Sequence, residues 1–161
     1  MATPFSNSRT EMAAVLEAKR SILSHTELTP AMPDVDLGID LIAFRKSPFR
    51  AYPVQIKGTT KGFMVWESYS LEPTVLVYVL NPLGEKPETF VMTGAEAWAI
   101  PATYVERGGR AADYRPGEIW HYRMPSLTVL LLSILRENYS DSQSNWARIL
   151  LALEDPSTAA T

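Results

Sequence analysis

Gly38-Ile-Asp-Leu-Ile-Ala-Phe-Arg45, then Lys46-Ser-Pro-Phe49, then Arg50-Ala-Tyr-Pro-Val-Gln-Ile-Lys-Gly58 is the stretch on which the fold turns. Ile39 to Arg45 and Arg50 to Gly58 read as strands, with Lys46 to Phe49 as the hairpin loop between them. A four-residue loop sets Arg45 against Arg50, so opposing residue numbers sum to 95. Asp40 then lies opposite Gln55, and Lys57 follows two residues along the same face, with Ile42, Phe44 and Pro53 nearer the turn. The other face carries Leu41, Ala43, Tyr52, Val54 and Ile56, a core-facing set. One residue more or fewer in the loop would send each side chain to the opposite face.

The neighbouring sequence frames this hairpin. Arg9 to Ser24 reads as a helix, with Ser8 and Glu11 spaced as a capping box. Met12, Val15, Leu16, Ile22 and Leu23 fall on one side of its wheel. Glu11 borders that stripe and Glu17 points away, while Lys19 interrupts it and must snorkel or reach an acid. Thr29 to Gly38 reads as a loop. Thr74 to Leu80 is almost wholly apolar, as a strand buried on both faces should be, and Glu88 to Met92 returns beside it. Gly62 to Tyr69 is ambiguous, with a short strand as one reading. Gly94 to Ile100 reads as a short helix and Ala102 to Glu118 as loop. Pro125 opens a helix from Ser126 to Glu137, and Ser140 or Asp141 caps a last one ending near Glu154. Helix, strands, then helices imply a mixed α/β (α+β) fold around one sheet.

The chain has 161 residues, 46% hydrophobic and 20% charged, which suits one domain over residues 1–155 with a flexible tail at 156–161. It has no cysteine and only His25 and His121, which excludes thiolate nucleophiles, cysteine-ligated metals and histidine-rich centres. Any metal would be a hard cation held by oxygen. The net charge of −3, from 15 Lys and Arg against 18 Asp and Glu, offers no whole-molecule attraction to nucleic acid, so only a local patch can bind it. The longest apolar run, Leu127 to Leu135, is too short to span a bilayer and is broken by Thr128 and Ser133. These features lead to the expectation of a soluble, cytoplasmic protein.

At the open end of the hairpin an acid, an amide and a lysine converge. Asp40 offers carboxylate oxygens, Gln55 a carbonyl oxygen, and the main-chain carbonyl of Ile56 a further donor. Magnesium needs only one or two carboxylates because it keeps several waters. Lys57 beside it can position a water and stabilise negative charge on a phosphate.

Gly38-Ile-Asp-Leu-Ile-Ala43 and Pro53-Val-Gln-Ile-Lys-Gly58, following an amphipathic helix that bears a glutamate, resemble the PD-(D/E)XK nuclease superfamily. The likeness is to its branch with Gln-X-Lys in place of Glu-X-Lys, and it extends from about Ser8 to Leu80. The resemblance implies a restriction-endonuclease-like αβββαβ core, here with extra C-terminal helices, and hydrolysis of phosphodiester bonds with Mg2+ or Mn2+, in DNA by preference. By position, Asp40 would be the metal-binding acid, Gln55 the second ligand, Lys57 the catalytic lysine and Glu11 the helix acid. The literal Pro33-Asp34 precedes the strand and does not fit the motif, nor does Asp36.

Each of these residues also has a plainer role. Glu11 can be a helix cap, Asp40 a turn residue after Gly38, and Gln55 with Lys57 the solvated face of an edge strand. Phe63, Trp66 and Tyr69 can stack bases or pack beside the sheet. Arg107, Arg110, Arg115 and Arg123 can meet phosphate, but interspersed Glu106, Asp113 and Glu118 favour a solvated mixed-charge loop. His25 and His121 receive no role. Val129 to Leu135 and Trp146 to Leu153 cover the sheet or form a homodimer surface. Besides the nuclease, two rivals stand: a non-catalytic module of the same fold that binds nucleic acid or protein, and a hydrolase of small nucleotides.

Overall fold

The computed structural model describes residues 4–35, 38–110, 114–115, 117, 121–124 and 126–154, with side chains from Ser8 onward. In chain order the elements are α1 (Pro4–His25), β1 (Thr29–Ala31), β2 (Leu41–Lys46), β3 (Phe49–Thr59), β4 (Phe63–Trp66), α2 (Ser68–Leu71), β5 (Val75–Leu80), β6 (Glu88–Thr93), α3 (Gly94–Glu106), β7 (His121–Met124), α4 (Val129–Tyr139) and α5 (Gln143–Glu154). Five strands form one mixed sheet in the order β1-β2-β3-β5-β6, parallel only between β3 and β5, while β4 and β7 form a separate antiparallel ribbon.

β5 lies inside the sheet between β3 and β6, and all six of its residues are buried. Strand alternation sends Val75, Val77 and Val79 to one core and Leu76, Tyr78 and Leu80 to the other. The first core is closed by α1 and α5, with Ala14, Ala18, Ile22, Trp146 and Ile149. The second is closed by α3, α4 and the ribbon. The result is a mixed α/β molecule with helices on both faces of its central sheet. No helix among the described residues is long and apolar enough to cross a membrane.

The hairpin register is the expected one. Leu41 pairs with Val54, Ala43 with Tyr52 and Arg45 with Arg50. The strands extend further into the loop than expected, so that Lys46 pairs with Phe49. Two arginines directly opposite each other repel. Glu154, at the end of α5, offsets this: its Oε1 lies 3.4 Å from Arg45 Nη2 and 3.8 Å from Arg50 Nε, and accepts a hydrogen bond from Tyr52 Oη at 2.5 Å.

Several boundaries differ from the sequence reading. α1 begins at Pro4, which places Ser8 inside the helix and removes the capping box from Ser8 and Glu11. The buried stripe is Ala14, Ala18, Ser21 and Ile22, whereas Met12, Leu16 and Leu23 are 68%, 61% and 62% exposed. Small side chains win this face because α1 crosses β3 almost in contact: a Cβ on Gly58 would lie 2.6 Å from Ala14 Cβ. Ser21 adds a polar tie to α5, accepting from Trp146 Nε1 at 2.8 Å and donating to Asp141 at 2.5 Å. Residues 29–31, expected in a loop, pair with β2 as β1. α3 continues through Pro101 to Glu106, because Ala97, Ile100, Pro101 and Tyr104 recur on one buried face. The capping box of this protein is Thr93 with Glu96, at the start of α3. α4 starts at Val129, with Thr128 Oγ1 accepting from Leu131 N. Ser142 caps α5, because Asp141 is turned to Ser21 and Trp146. β7 had no counterpart in the sequence reading. Pro125, Asp36 and the tail at 156–161 lie outside the described residues.

The contact at Gly58 yields the first prediction. Gly58→Ala forces α1 away from the sheet and should cost about 1–3 kcal/mol in urea unfolding, as overpacking of a tight contact does. Ala14→Gly in the same chain should recover part of that loss. An unchanged midpoint for Gly58→Ala would refute the packing described.

Candidate active site

The site grows from the point where β2 begins. Gly38 takes φ +75°, which glycine adopts without strain, and the chain enters β2 three residues later, at Leu41. The Asp40 amide donates to Val54 O at 3.1 Å, so the ladder reaches Asp40 although the strand starts at Leu41. Its carboxylate then spans to β3: Oδ2 accepts from Gln55 Nε2 at 2.5 Å and from the Ile56 amide at 2.6 Å. Gln55 is buried and Asp40 half-buried. The carboxylate is thus held by two donors of one strand, and its direction is set by the hairpin register.

Strand geometry has a further consequence. A strand residue directs its N–H and C=O to the same neighbour. Because the Ile56 amide meets Asp40, the Ile56 carbonyl also faces the β2 side of β3. Three kinds of oxygen therefore come from one corner: the carboxylate of Asp40, the side-chain carbonyl of Gln55 and the main chain of Ile56. This donor set suits a hard cation such as Mg2+ or Mn2+, which keeps waters, and it does not suit zinc. Among the described residues no three of His, Cys, Asp and Glu gather closely enough to hold a metal. A cation here would rest on one carboxylate, neutral oxygens and water.

Lys57 is two residues beyond Gln55 on the same face and pairs in register with Tyr78 of β5. Its ammonium lies 5.7 Å from the centre of the Tyr69 ring, a cation–π contact that aims it away from the sheet. Burial pushes the Tyr78 phenol well above its ordinary pKa. It therefore stays a donor, to Gly62 O, and is no general base.

Glu11 stands apart from this group. Its spacing from Ala14, Ala18 and Ile22 puts it on the sheet-facing stripe of α1, but it is exposed. That helix packs on the face bearing Val54 and Ile56, opposite to Gln55 and Lys57. Glu11 takes no part in the hydrogen bonds that hold Asp40. Glu17 is paired with Arg20 at 2.9 Å. Asp34 is exposed in a bend before β2.

Other combinations have structural roles. Ser21, His25 and Asp141 are the residue types of a hydrolytic triad, and His25 Nε2 lies 3.4 Å from Asp141 Oδ2. The Ser21 hydroxyl donates to Asp141 rather than to the imidazole, so it is a helix tie and not an activated nucleophile. Arg107 pairs with Glu137 at 2.8 Å. The residue that sequence reasoning missed is Lys61; Arg123 was named there only among the arginines of a mixed-charge loop. Lys61 and Arg123 line one groove with Lys57 because β4 pairs with β7.

Gln55→Glu tests whether this corner is a cation site. It would set a second carboxylate against Asp40, and like charges at that distance disfavour joint ionisation. The variant should lose stability as pH rises above the carboxylate range, and millimolar Mg2+ should restore it, with wild type showing no such pH effect and a smaller gain from Mg2+ in thermal melts. A variant indifferent to both pH and Mg2+ would show that the corner does not bind a cation. Compared with family models, with curated proteins and with solved structures, the chain matches none.

Proposed function

We propose that this protein is a Mg2+- or Mn2+-dependent nuclease that hydrolyses phosphodiester bonds, with DNA as substrate, on a restriction-endonuclease-like core. The observation that carries this reading is the Asp40 carboxylate held by Gln55 and the Ile56 amide, with Lys57 two residues along the same face of β3. The order of elements supports it. α1, the antiparallel meander β1-β2-β3, the short α2 and β5 parallel to β3 come in the αβββαβ order that the resemblance implies, with β4 of the separate ribbon inserted before α2.

In this mechanism Asp40, Gln55 and the Ile56 carbonyl would hold the cation, while Glu11, carried by the helix on the other face of the sheet, stays outside the set. When bound, the cation supplies positive charge at the scissile phosphate and acidifies a water. The chain's own groups do the rest. Asp40 is oriented before substrate arrives, by two hydrogen bonds, so no reorganisation is needed at the moment of reaction. The Lys57 ammonium, held over Tyr69, faces the incoming phosphate and stabilises charge developing on its oxygens.

One observation favours a second reading. Gln55 satisfies Asp40 through a hydrogen bond that needs no cation. A chain that had lost its chemistry and kept its fold would look this way, as a module binding nucleic acid or a protein.

Cleavage separates the two. Supercoiled plasmid, single-stranded DNA and RNA are incubated with Mg2+ or Mn2+ and wild type, Asp40→Asn or Lys57→Met. Wild type should cut, and either substitution should lower the rate by about 100-fold or more, the scale of losing a positioned catalytic group. No cleavage by folded wild type on any polymer would sink the nuclease reading and leave the binding module.

A further inference from the structure

The groove beside Lys57 has a volume of about 530 Å3 and carries Lys57, Lys61 and Arg123 with Thr59 and Thr60; none of its lining residues is acidic. In a chain of net charge −3 this is a local concentration of positive charge. The β4–β7 ribbon continues from it. Phe63, Val65, Tyr122 and Met124 are buried in the core. By alternation Met64, Trp66, His121 and Arg123 share the outward face, where Met64 pairs with Arg123 and Trp66 with His121. The Trp66 and His121 rings are stacked, 5.2 Å between centres and 28° between planes, and both are partly exposed. Arg123 belongs to both features: it lines the groove and stands two residues from the ring pair, about 7 Å along the strand.

We infer that the groove and the outward face of the β4–β7 ribbon form one binding track for single-stranded nucleic acid, leading to Lys57. Lys61 and Arg123 take backbone phosphates, and an unpaired base stacks at Trp66 and His121. Cationic groups followed by aromatic rings are the pattern by which single strands are held without sequence preference. A duplex keeps its bases paired and stacked inside, so its faces do not reach a ring pair on a ribbon. This deepens the nuclease reading and rests on it for the role of Lys57, but binding to the track needs no chemistry.

The test is fluorescence anisotropy with labelled 16-nucleotide single strands and the matching duplex, in EDTA, so that cleavage does not intervene. The single strand should bind at least about 10-fold more tightly than the duplex. Lys61→Gln and Arg123→Gln, both at exposed positions, should each weaken binding and flatten the salt dependence of log K by about 0.7, one phosphate contact. Trp66→Leu should weaken binding about 10- to 100-fold with the salt slope unchanged, and Trp66→Phe should keep most of the affinity, since it keeps a ring. Equal or tighter duplex binding, absence of binding at low salt, or lysine and arginine variants that bind like wild type would each overturn the inference. Failure of the nuclease reading has a different signature: the single strand binds as described, and nothing is cut when Mg2+ is added.

Discussion

The pairing of β2 with β3 is the constraint on which the rest of the molecule depends. In that register Tyr52, Val54 and Ile56 enter the core beneath α1, and Gln55 and Lys57 take the other face. The Asp40 carboxylate then sits where it meets the Gln55 amide and the Ile56 N–H together. A slip of one residue would turn Lys57 into the core beneath α1 and set Val54 on the face of Asp40. Burying an unpaired ammonium costs several kcal/mol or more, so the apolar pattern and the site enforce the same register. The parallel partner β5 locks it from the other side, because its alternating residues must serve both cores.

The hairpin could be read from sequence because strand parity is a strictly local property. Asp40 opposite Gln55, with Lys57 on the same face, needs only the loop length to be right. The doubly buried β5 was equally legible from Thr74 to Leu80, where no polar face exists. The face of α1 was not. Counting apolar residues picked Met12, Leu16 and Leu23, but the contact with Gly58 selects Ala14 and Ala18, and only the partner surface reveals that size matters more than hydrophobicity there. Pro101 likewise reads as a stop, but burial of Pro101 and Tyr104 carries α3 past it. Lys61 and Arg123 share a groove through a strand pairing across some sixty residues, which no local pattern announces.

Gln55 defines the chemistry this corner can support. A second carboxylate beside Asp40 would repel it; the amide instead donates a hydrogen bond to it. Pre-organisation is gained and one unit of negative charge is given up, so the corner should hold a divalent ion weakly and lean on substrate phosphate to complete the coordination. The cationic groove at Lys57 is placed to bring that phosphate. Site and groove thus share a single lysine, and the chain places it by the same alternation that builds the core.

We propose that Asp40, Gln55 and Ile56 form a divalent-cation corner on the strand that carries Lys57. The most direct measurement is titration of 15N-labelled protein with paramagnetic Mn2+, following amide line widths. The amides of residues 40 and 55–57 should broaden first, and Asp40→Asn should remove this selectivity. Broadening that begins at other acidic surfaces, or leaves these amides untouched, would contradict it.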